Sequence, residues 1–341
     1  MLKPIIIIAE AGVNHNGDIE KAFKLIDAAV EAKVDYVKFQ TFRAIKLVSS
    51  KAKKADYQIK NDKSDDLSQF EMLRNLELSE TDHLKLINYC KKSNINFFST
   101  AFDIQSLEYL SKIGLELVKI PSGEITNLPY LRAASKLFSK VIISTGMSTI
   151  DEIKRALDIF LNNGVSSNDI TILHCNTEYP TPMEDVNLLA MLDIGKKFNT
   201  PIGYSDHTLG IEVPIAAVAL GARVIEKHFT LDRTLPGPDH SASLEPKELS
   251  LMVKSIRNIE VAISGSGRKE PSNSEIKNIF NARKSIHLSR NIKVGEFLSE
   301  DDLIMLRPGD GISPMEMDKI IGLKAVKNLC LHQKLTLKDF I

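Results

Sequence analysis

The chain has 341 residues, 43% of them hydrophobic and 26% charged, a composition that supplies one large apolar core with something small beside it and argues against disorder. Forty-four basic residues balance forty-four acidic ones, so no net field draws in nucleic acid or an anionic membrane, and an anionic ligand needs a local site. Three widely spaced cysteines without a C-x-x-C pair exclude a disulfide framework or a cysteine zinc site, and no apolar run approaches the roughly 18 residues of a membrane span, so the chain reads as cytoplasmic with reduced thiols.

Short apolar runs rich in β-formers alternate along the chain with stretches of helical period. The runs are PIIIIAE (4–10), YVKFQTF (36–42), INFFSTAF (95–102), LVKIPSGE (117–124), KVIISTGM (140–147), ITILHCNT (170–177), PIGYSDHT (201–208) and ARVIEKHFT (222–230). Between them lie amphipathic segments such as DIEKAFKLIDAAVEAK and TIDEIKRALDIFLNNG. Strands that are apolar on both faces and separated by helices imply a parallel sheet, and eight βα units within about 250 residues suit a closed barrel. The expected fold is therefore α/β, a (β/α)8 TIM barrel over residues 1–265. An open doubly wound sheet is the alternative, and it lacks the G-x-G-x-x-G phosphate loop after the first strand. A polar Gly/Ser/Pro-rich stretch containing GSGRKEPSNSEIKN reads as a linker over 266–282. Residues 283–341 carry short β-like runs broken by turns (NIKVGE, RPGDG) and form a second domain whose core is marginal alone, so it is expected to lean on the barrel, its own or a partner's.

In such a barrel the active site lies at the C-terminal ends of the strands. Every predicted strand ends in polar residues there, from Glu10, Asn14 and His15 at the first to Glu226, Lys227 and His228 at the last. Any single serine or threonine at such a junction needs no explanation beyond the loop it starts. Lys38 and Lys119 do, because they interrupt apolar runs where an ammonium is rarely buried without a partner. Two ammoniums with the hydroxyls of Ser122, Ser144 and Ser205 suit a small phosphorylated, carboxylated metabolite. His207 and His228 end the seventh and eighth runs at equivalent points. A lone histidine there is commonly a satisfied core residue, but the pair makes a two-imidazole metal site with positions left for water and substrate, open to Mn, Fe, Co, Ni or Zn. The residues alone point to a metal-assisted barrel enzyme acting on a phosphorylated anion, with Glu124 as acid or base.

The strings IIAEAGVNHNGD, VKFQTF, FSTAFD, KIPSGEITNLPYL, IISTGM, LHCNTEYPTP, GYSDHT, EKHFTLD and PGPDHSASLEP, in this order, resemble the sialic acid synthase family. VGEFLSEDDL and LRPGDGISP resemble that family's C-terminal antifreeze-like (SAF) domain of β-clip type, so the likeness spans essentially the whole chain. It implies condensation of phosphoenolpyruvate with N-acetylmannosamine to give N-acetylneuraminate and phosphate. It further implies a divalent ion, Mn with Mg or Co as alternatives, on His207 and His228, and Glu124 of the S-G-E motif handling the proton of the attacking water. Phosphoenolpyruvate contacts implied by the resemblance fall on Lys38, Thr100, Lys119, Ser122, Ser144 and Ser205, with Asn176 or Thr177 in the place of a family asparagine. The implied sugar contacts are Glu10, Gln40, Tyr179, Asp239 and Arg307, the last reaching a partner's site across a homodimer. The alternative substrate is 2,4-diacetamido-2,4,6-trideoxymannose, which makes the chain an N,N'-diacetyllegionaminate synthase; residues choosing between the sugars are expected in KAKKADYQIKNDKSDD and near Tyr179 and Asp239. KIPSGE and PGPDH argue against the sibling pseudaminic acid synthases, and the presence of Glu124, His207 and His228 argues against a non-catalytic ligand-binding barrel.

Overall fold

The computed structural model describes residues 4–62 and 68–341. Eight parallel strands close in chain order into a barrel: β1 (Ile6–Gly12), β2 (Tyr36–Thr41), β3 (Asn96–Ala101), β4 (Leu117–Ile120), β5 (Lys140–Ser144), β6 (Ile170–His174), β7 (Ile202–Asp206) and β8 (Val224–His228), with β8 pairing back onto β1. The chain divides into two compact units, residues 1–265 and 266–341. Among the described residues no helix is long and apolar enough to cross a membrane.

Strand residues alternate between two environments, and this alternation builds the site. The outward set, which includes Ile7, Val37, Val118, Ile143, Ile172, Tyr204 and Ile225, packs under the surrounding helices in two large apolar clusters. The inward set begins as an apolar plug of Ile8, Phe98, Ile142, Leu173 and Val224. Two residues further along the same strands the inward positions become Glu10, Thr100, Ser144, Cys175 and Glu226, and a further step along β8 reaches His228. The barrel is thus dry below and polar above, with the change falling at one level. Gly203 occupies an inward position of β7 where a Cβ would meet Val224 O at 2.3 Å, so only glycine lets the strands approach there.

Among the outward positions that break the apolar rule, two are charged. Lys227 and Asp206 are fully buried and bonded to each other, Nζ to Oδ2, at 2.6 Å. Lys227 also donates to the carbonyl of Thr208, while Asp206 accepts from the Thr208 amide at 3.0 Å. This knot fixes the chain on both sides of His207. Asp206→Ala strands a buried ammonium, and it is expected to cost about 3–5 kcal/mol, read as a lowered unfolding transition by calorimetry; a change below about 1 kcal/mol, the range of an exposed pair, would contradict the knot's role.

Three helices not foreseen from the sequence, Ala44–Leu47, Asp56–Asp62 and Gln69–Leu76, lie between β2 and the helix Glu80–Lys92 that precedes β3. The stretch expected to be a linker also differs: Asn273–Ala282 is helical, started by a capping box between Ser272 and Glu275. In the second unit β9 (Ser285–Leu288) pairs antiparallel with β10 (Leu303–Leu306) over a core containing Ile286, Leu288, Leu298, Ile320 and Leu335.

Candidate active site

Every candidate residue except Asn176 and Arg307 lines one cavity of about 780 Å³ at the C-terminal mouth of the barrel. Arg307 belongs to the other unit, where its Nε donates to Ala282 O at 3.0 Å. Of the pair after β6, Thr177 lines the cavity. Asn176 serves through its backbone instead: its side chain accepts from Glu178 N at 2.7 Å and its carbonyl takes the proton of His207 Nδ1 at 2.5 Å.

The floor of the cavity is a charge lattice. Lys119 Nζ lies 2.6 Å from Glu226 Oε1, and Ser205 Oγ donates to the same oxygen at 2.9 Å. Lys38 Nζ contacts Glu10 Oε1 at 2.8 Å, Glu226 Oε2 at 3.3 Å and Thr100 Oγ1 at 2.9 Å. The sequence implies that a lysine in an apolar run needs a partner and supplies an anionic ligand as that partner; here both lysines also have carboxylate partners from the chain itself, because an ammonium above an apolar plug cannot be left unpaired. Burial pushes the Glu10 and Glu226 carboxyls up, but electrostatic attraction to their neighbours, the His228 ring and Lys38 for Glu10 and Lys119 and Lys38 for Glu226, outweighs it and holds both below the usual range. Burial lowers Lys38, and Glu10 and Glu226 more than reverse that, so it stays charged. Glu226 is the functional residue for which sequence reasoning assigned no role; its signal was the two-residue step from Val224 to His228.

Beside the lattice stand the two imidazoles, ring centroids 5.4 Å apart, with Tyr179 stacked on His207 at 4.0 Å and edge-on to His228 at 5.7 Å. The bond to Asn176 O makes Nδ1 of His207 the protonated nitrogen and leaves Nε2 with its lone pair. Burial and the neighbouring His228 lower His207 to about 3, keeping it neutral as a ligand must be. Nδ1 of His228 is buried without a hydrogen-bond partner and lies 3.9 Å from Asp239 Oδ2, while its Nε2 lies 3.3 Å from Glu10 Oε2. The orphaned imidazole nitrogen of His228 next to the neutral imidazole of His207 fits a divalent cation. Among the described residues no group of three or more His, Cys, Asp or Glu is arranged to hold an ion, so water and substrate would complete its shell.

Glu124 sits on a single turn, Ser122–Glu124, immediately after β4, opened by Pro121. Burial raises its carboxyl despite a 2.6 Å bond from Asn127 Nδ2, and Asp103 adds to the rise. Ser122 Oγ accepts from Gly146 N at 3.0 Å, and a Cβ on Gly146 would meet it at 2.9 Å and Thr177 Cγ2 at 2.5 Å.

The loops after β1 and β8 are laced above the site: Asn14 Nδ2 donates to Phe229 O at 2.8 Å and Ser243 Oγ at 2.9 Å, and His240 joins Thr230 Oγ1 at 2.7 Å to Asn16 Oδ1 at 3.1 Å. Burial, with His83 second for His15 and Lys21 second for His240, lowers both histidines to about 4. The unfolded chain therefore binds protons that the folded one refuses between the ordinary value of 6.5 and about 4. Stability is fully present above that window and falls as pH drops through it. His240→Gln, which keeps the hydrogen bonds without titrating, should flatten that slope in pH-dependent unfolding; an unchanged slope would contradict it.

Residues 25–269 match the family model described as the NeuB family, and residues 283–341 match the SAF domain. The chain is 51% identical to the N,N'-diacetyllegionaminic acid synthase of Campylobacter jejuni, over 96% of this chain and 97% of that one. It is 48% identical to the protein of the same name from Legionella pneumophila, over 95% and 91%. Among solved structures, the N-acetylneuraminic acid synthetase of Leptospira borgpetersenii in complex with citrate is 38% identical with a TM-score of 0.72, over 81% of this chain and 90% of that one. With the family model covering most of the barrel, the chain belongs to the NeuB family.

Proposed function

We propose that the protein condenses phosphoenolpyruvate with 2,4-diacetamido-2,4,6-trideoxymannose and water to give N,N'-diacetyllegionaminate and inorganic phosphate. The observation that carries this reading is the near-full-length identity to two relatives named for that product, higher than the identity to the neuraminate synthetase structure. It favours the second of the two substrates considered from the sequence over N-acetylmannosamine.

The chemistry follows from the cavity. Lys38 and Lys119, with Thr100, Ser122, Ser205 and the buried, unpartnered hydroxyl of Ser144, receive the phosphate and carboxylate of phosphoenolpyruvate. Glu10 and Glu226 hold the two lysine side chains in place before the anion arrives. His207 and His228 would hold a divalent ion, Mn with Mg or Co as alternatives, which when bound polarises the sugar aldehyde as a Lewis acid. Carbon 3 of phosphoenolpyruvate bonds to the aldehyde carbon, the carbonyl π pair passes to the aldehyde oxygen, which takes up a proton to become a hydroxyl, and positive character is left at carbon 2. Glu124 takes a proton from the water that attacks carbon 2. The resulting hemiketal phosphate expels phosphate by cleavage of its bond from carbon 2 to oxygen while the hemiketal hydroxyl gives up its proton to the departing phosphate, leaving the α-keto acid. Glu10, Gln40, Tyr179 and Asp239 face the sugar.

The same reading includes a homodimer in which Arg307 completes a partner's site. Met147, Met183, Leu189 and Leu209 are exposed in the segments that follow β5, β6 and β7, apolar side chains of the kind a second chain could cover. Chains carrying Arg307→Ala and Glu124→Gln, each impaired alone, should recover activity when mixed, and residues 1–265 alone should be inactive; a monomer or a fully active isolated barrel would contradict the assembly. The substrate is tested by phosphate release with each sugar in turn. The account expects a much higher kcat/KM for the diacetamido sugar, and a higher value for N-acetylmannosamine would overturn it.

A further inference from the structure

The cavity has two unlike ends. One holds the charge lattice and the paired imidazoles. The other is walled by Leu47, Met72, Leu73 and Leu76 of the segment inserted between β2 and β3, with Val13 and Phe102 beside them. Met72, Leu76, Val13 and Phe42 are buried in a cluster of their own, with Leu47, Leu73 and Phe102 packed against it, so the wall has a solid backing. The segment is tied down across the mouth: Asn61 Nδ2 donates to Pro238 O at 2.9 Å and Tyr179 O at 3.3 Å, and Ala44 N to Glu77 Oε1 at 2.6 Å. Residues 63–67 lie outside the described residues, and 63–66 are the end of KAKKADYQIKNDKSDD, where residues choosing between the sugars are expected.

A sugar whose aldehyde meets carbon 3 of phosphoenolpyruvate at the imidazole end must run its far carbons elsewhere in the cavity, and the wall is the apolar surface it meets. The far carbons are where the two candidate sugars differ. N-acetylmannosamine carries a hydroxyl on carbon 4 and another on carbon 6; the diacetamido trideoxy sugar carries an acetamido group on carbon 4 and has a plain methyl as carbon 6. The geometry points to Leu47, Met72, Leu73 and Phe102 as the surface that reads those methyl groups, selecting a 6-deoxy sugar because these four side chains bury a methyl and themselves carry nothing that can bond a hydroxyl set against them. Gln58 and Gln69 line the same cavity, and their amides suit the polar atoms of the acetamido group. This inference rests on the proposed function for its substrate but not for its test.

The test uses the full chain with Mn, phosphoenolpyruvate and three acceptors: N-acetylmannosamine, its 6-deoxy analogue, and the diacetamido trideoxy sugar. Leu73→Gln and Leu47→Asn alter partly buried positions and spare the Met72–Leu76 packing; unchanged phosphoenolpyruvate affinity shows that each variant is folded. The wild type should prefer the 6-deoxy analogue to N-acetylmannosamine by about tenfold or more, within the 10–200-fold that a small group in an apolar pocket is worth. Each variant should lower kcat/KM for both 6-deoxy sugars by about that factor and leave N-acetylmannosamine within about threefold. An equal fall for all three sugars, or an unaltered preference, would overturn the assignment. Failure of the wild type on the diacetamido sugar would overturn the proposed function, while the pair differing only at carbon 6 still decides the wall.

Discussion

Glu124→Gln should lower turnover by about 10²–10⁴, the usual contribution of a positioned proton-transfer group, while phosphoenolpyruvate binds as before. The structure gives the reasons for both halves. Glu124 lies off the charge lattice, on the turn after β4, so its loss leaves Lys38, Lys119 and Ser205 with their partners. Glutamine retains the size and can still bond Asn127, but it cannot take a proton. Because burial raises the carboxyl above its ordinary value, the acid limb of kcat in the wild type should lie above 4.5, with activity rising as pH carries Glu124 through its pKa. That limb should vanish in the glutamine variant. Rapid-quench turnover and calorimetric titration with phosphoenolpyruvate separate the two effects, and an unchanged rate would remove Glu124 from the chemistry.

Stripping divalent ions should abolish phosphate release altogether, with Mn restoring it in the wild type and poorly in His207→Ala or His228→Ala. The neutral, backbone-anchored imidazole of His207 and the orphaned Nδ1 of His228 are arranged for an ion that a chelator can reach through the open mouth. Metal content measured on the purified proteins should fall with activity in both variants. Full activity in chelator would sink the metal assignment.

The barrel was legible because its strands advertise themselves twice, as apolar runs and as runs ending in polar residues at the same relative point. The same two-residue step that takes Ile8 to Glu10 and Val224 to Glu226 and His228 carries each strand from the plug to the site. What the pattern could not express was pairing. Glu226, Lys119 and Ser205 come from three strands, and nothing local announces that one carboxylate serves the other two. Asn176 and Thr177 are adjacent in a turn where strand alternation has ended, so only the folded loop assigns one to the cavity and the other's carbonyl to His207. The insert was missed because its helices are four to eight residues long, too short to establish a period against a background of Lys, Asp and Ser. The helix Asn273–Ala282 was hidden differently: its Ser272 and Glu275 capping signal sits inside a stretch whose Gly, Ser and Pro content reads as linker. Arg307 owes its candidacy wholly to the family resemblance.

One competition reaction tests the account most directly. The purified protein is given Mn, limiting phosphoenolpyruvate and equal concentrations of N-acetylmannosamine and 2,4-diacetamido-2,4,6-trideoxymannose, and the nine-carbon acids formed are counted by mass spectrometry. The account predicts that N,N'-diacetyllegionaminate predominates by about tenfold or more, with phosphate released in step. A predominance of N-acetylneuraminate would contradict the proposed substrate, and the absence of either acid would contradict the condensation itself.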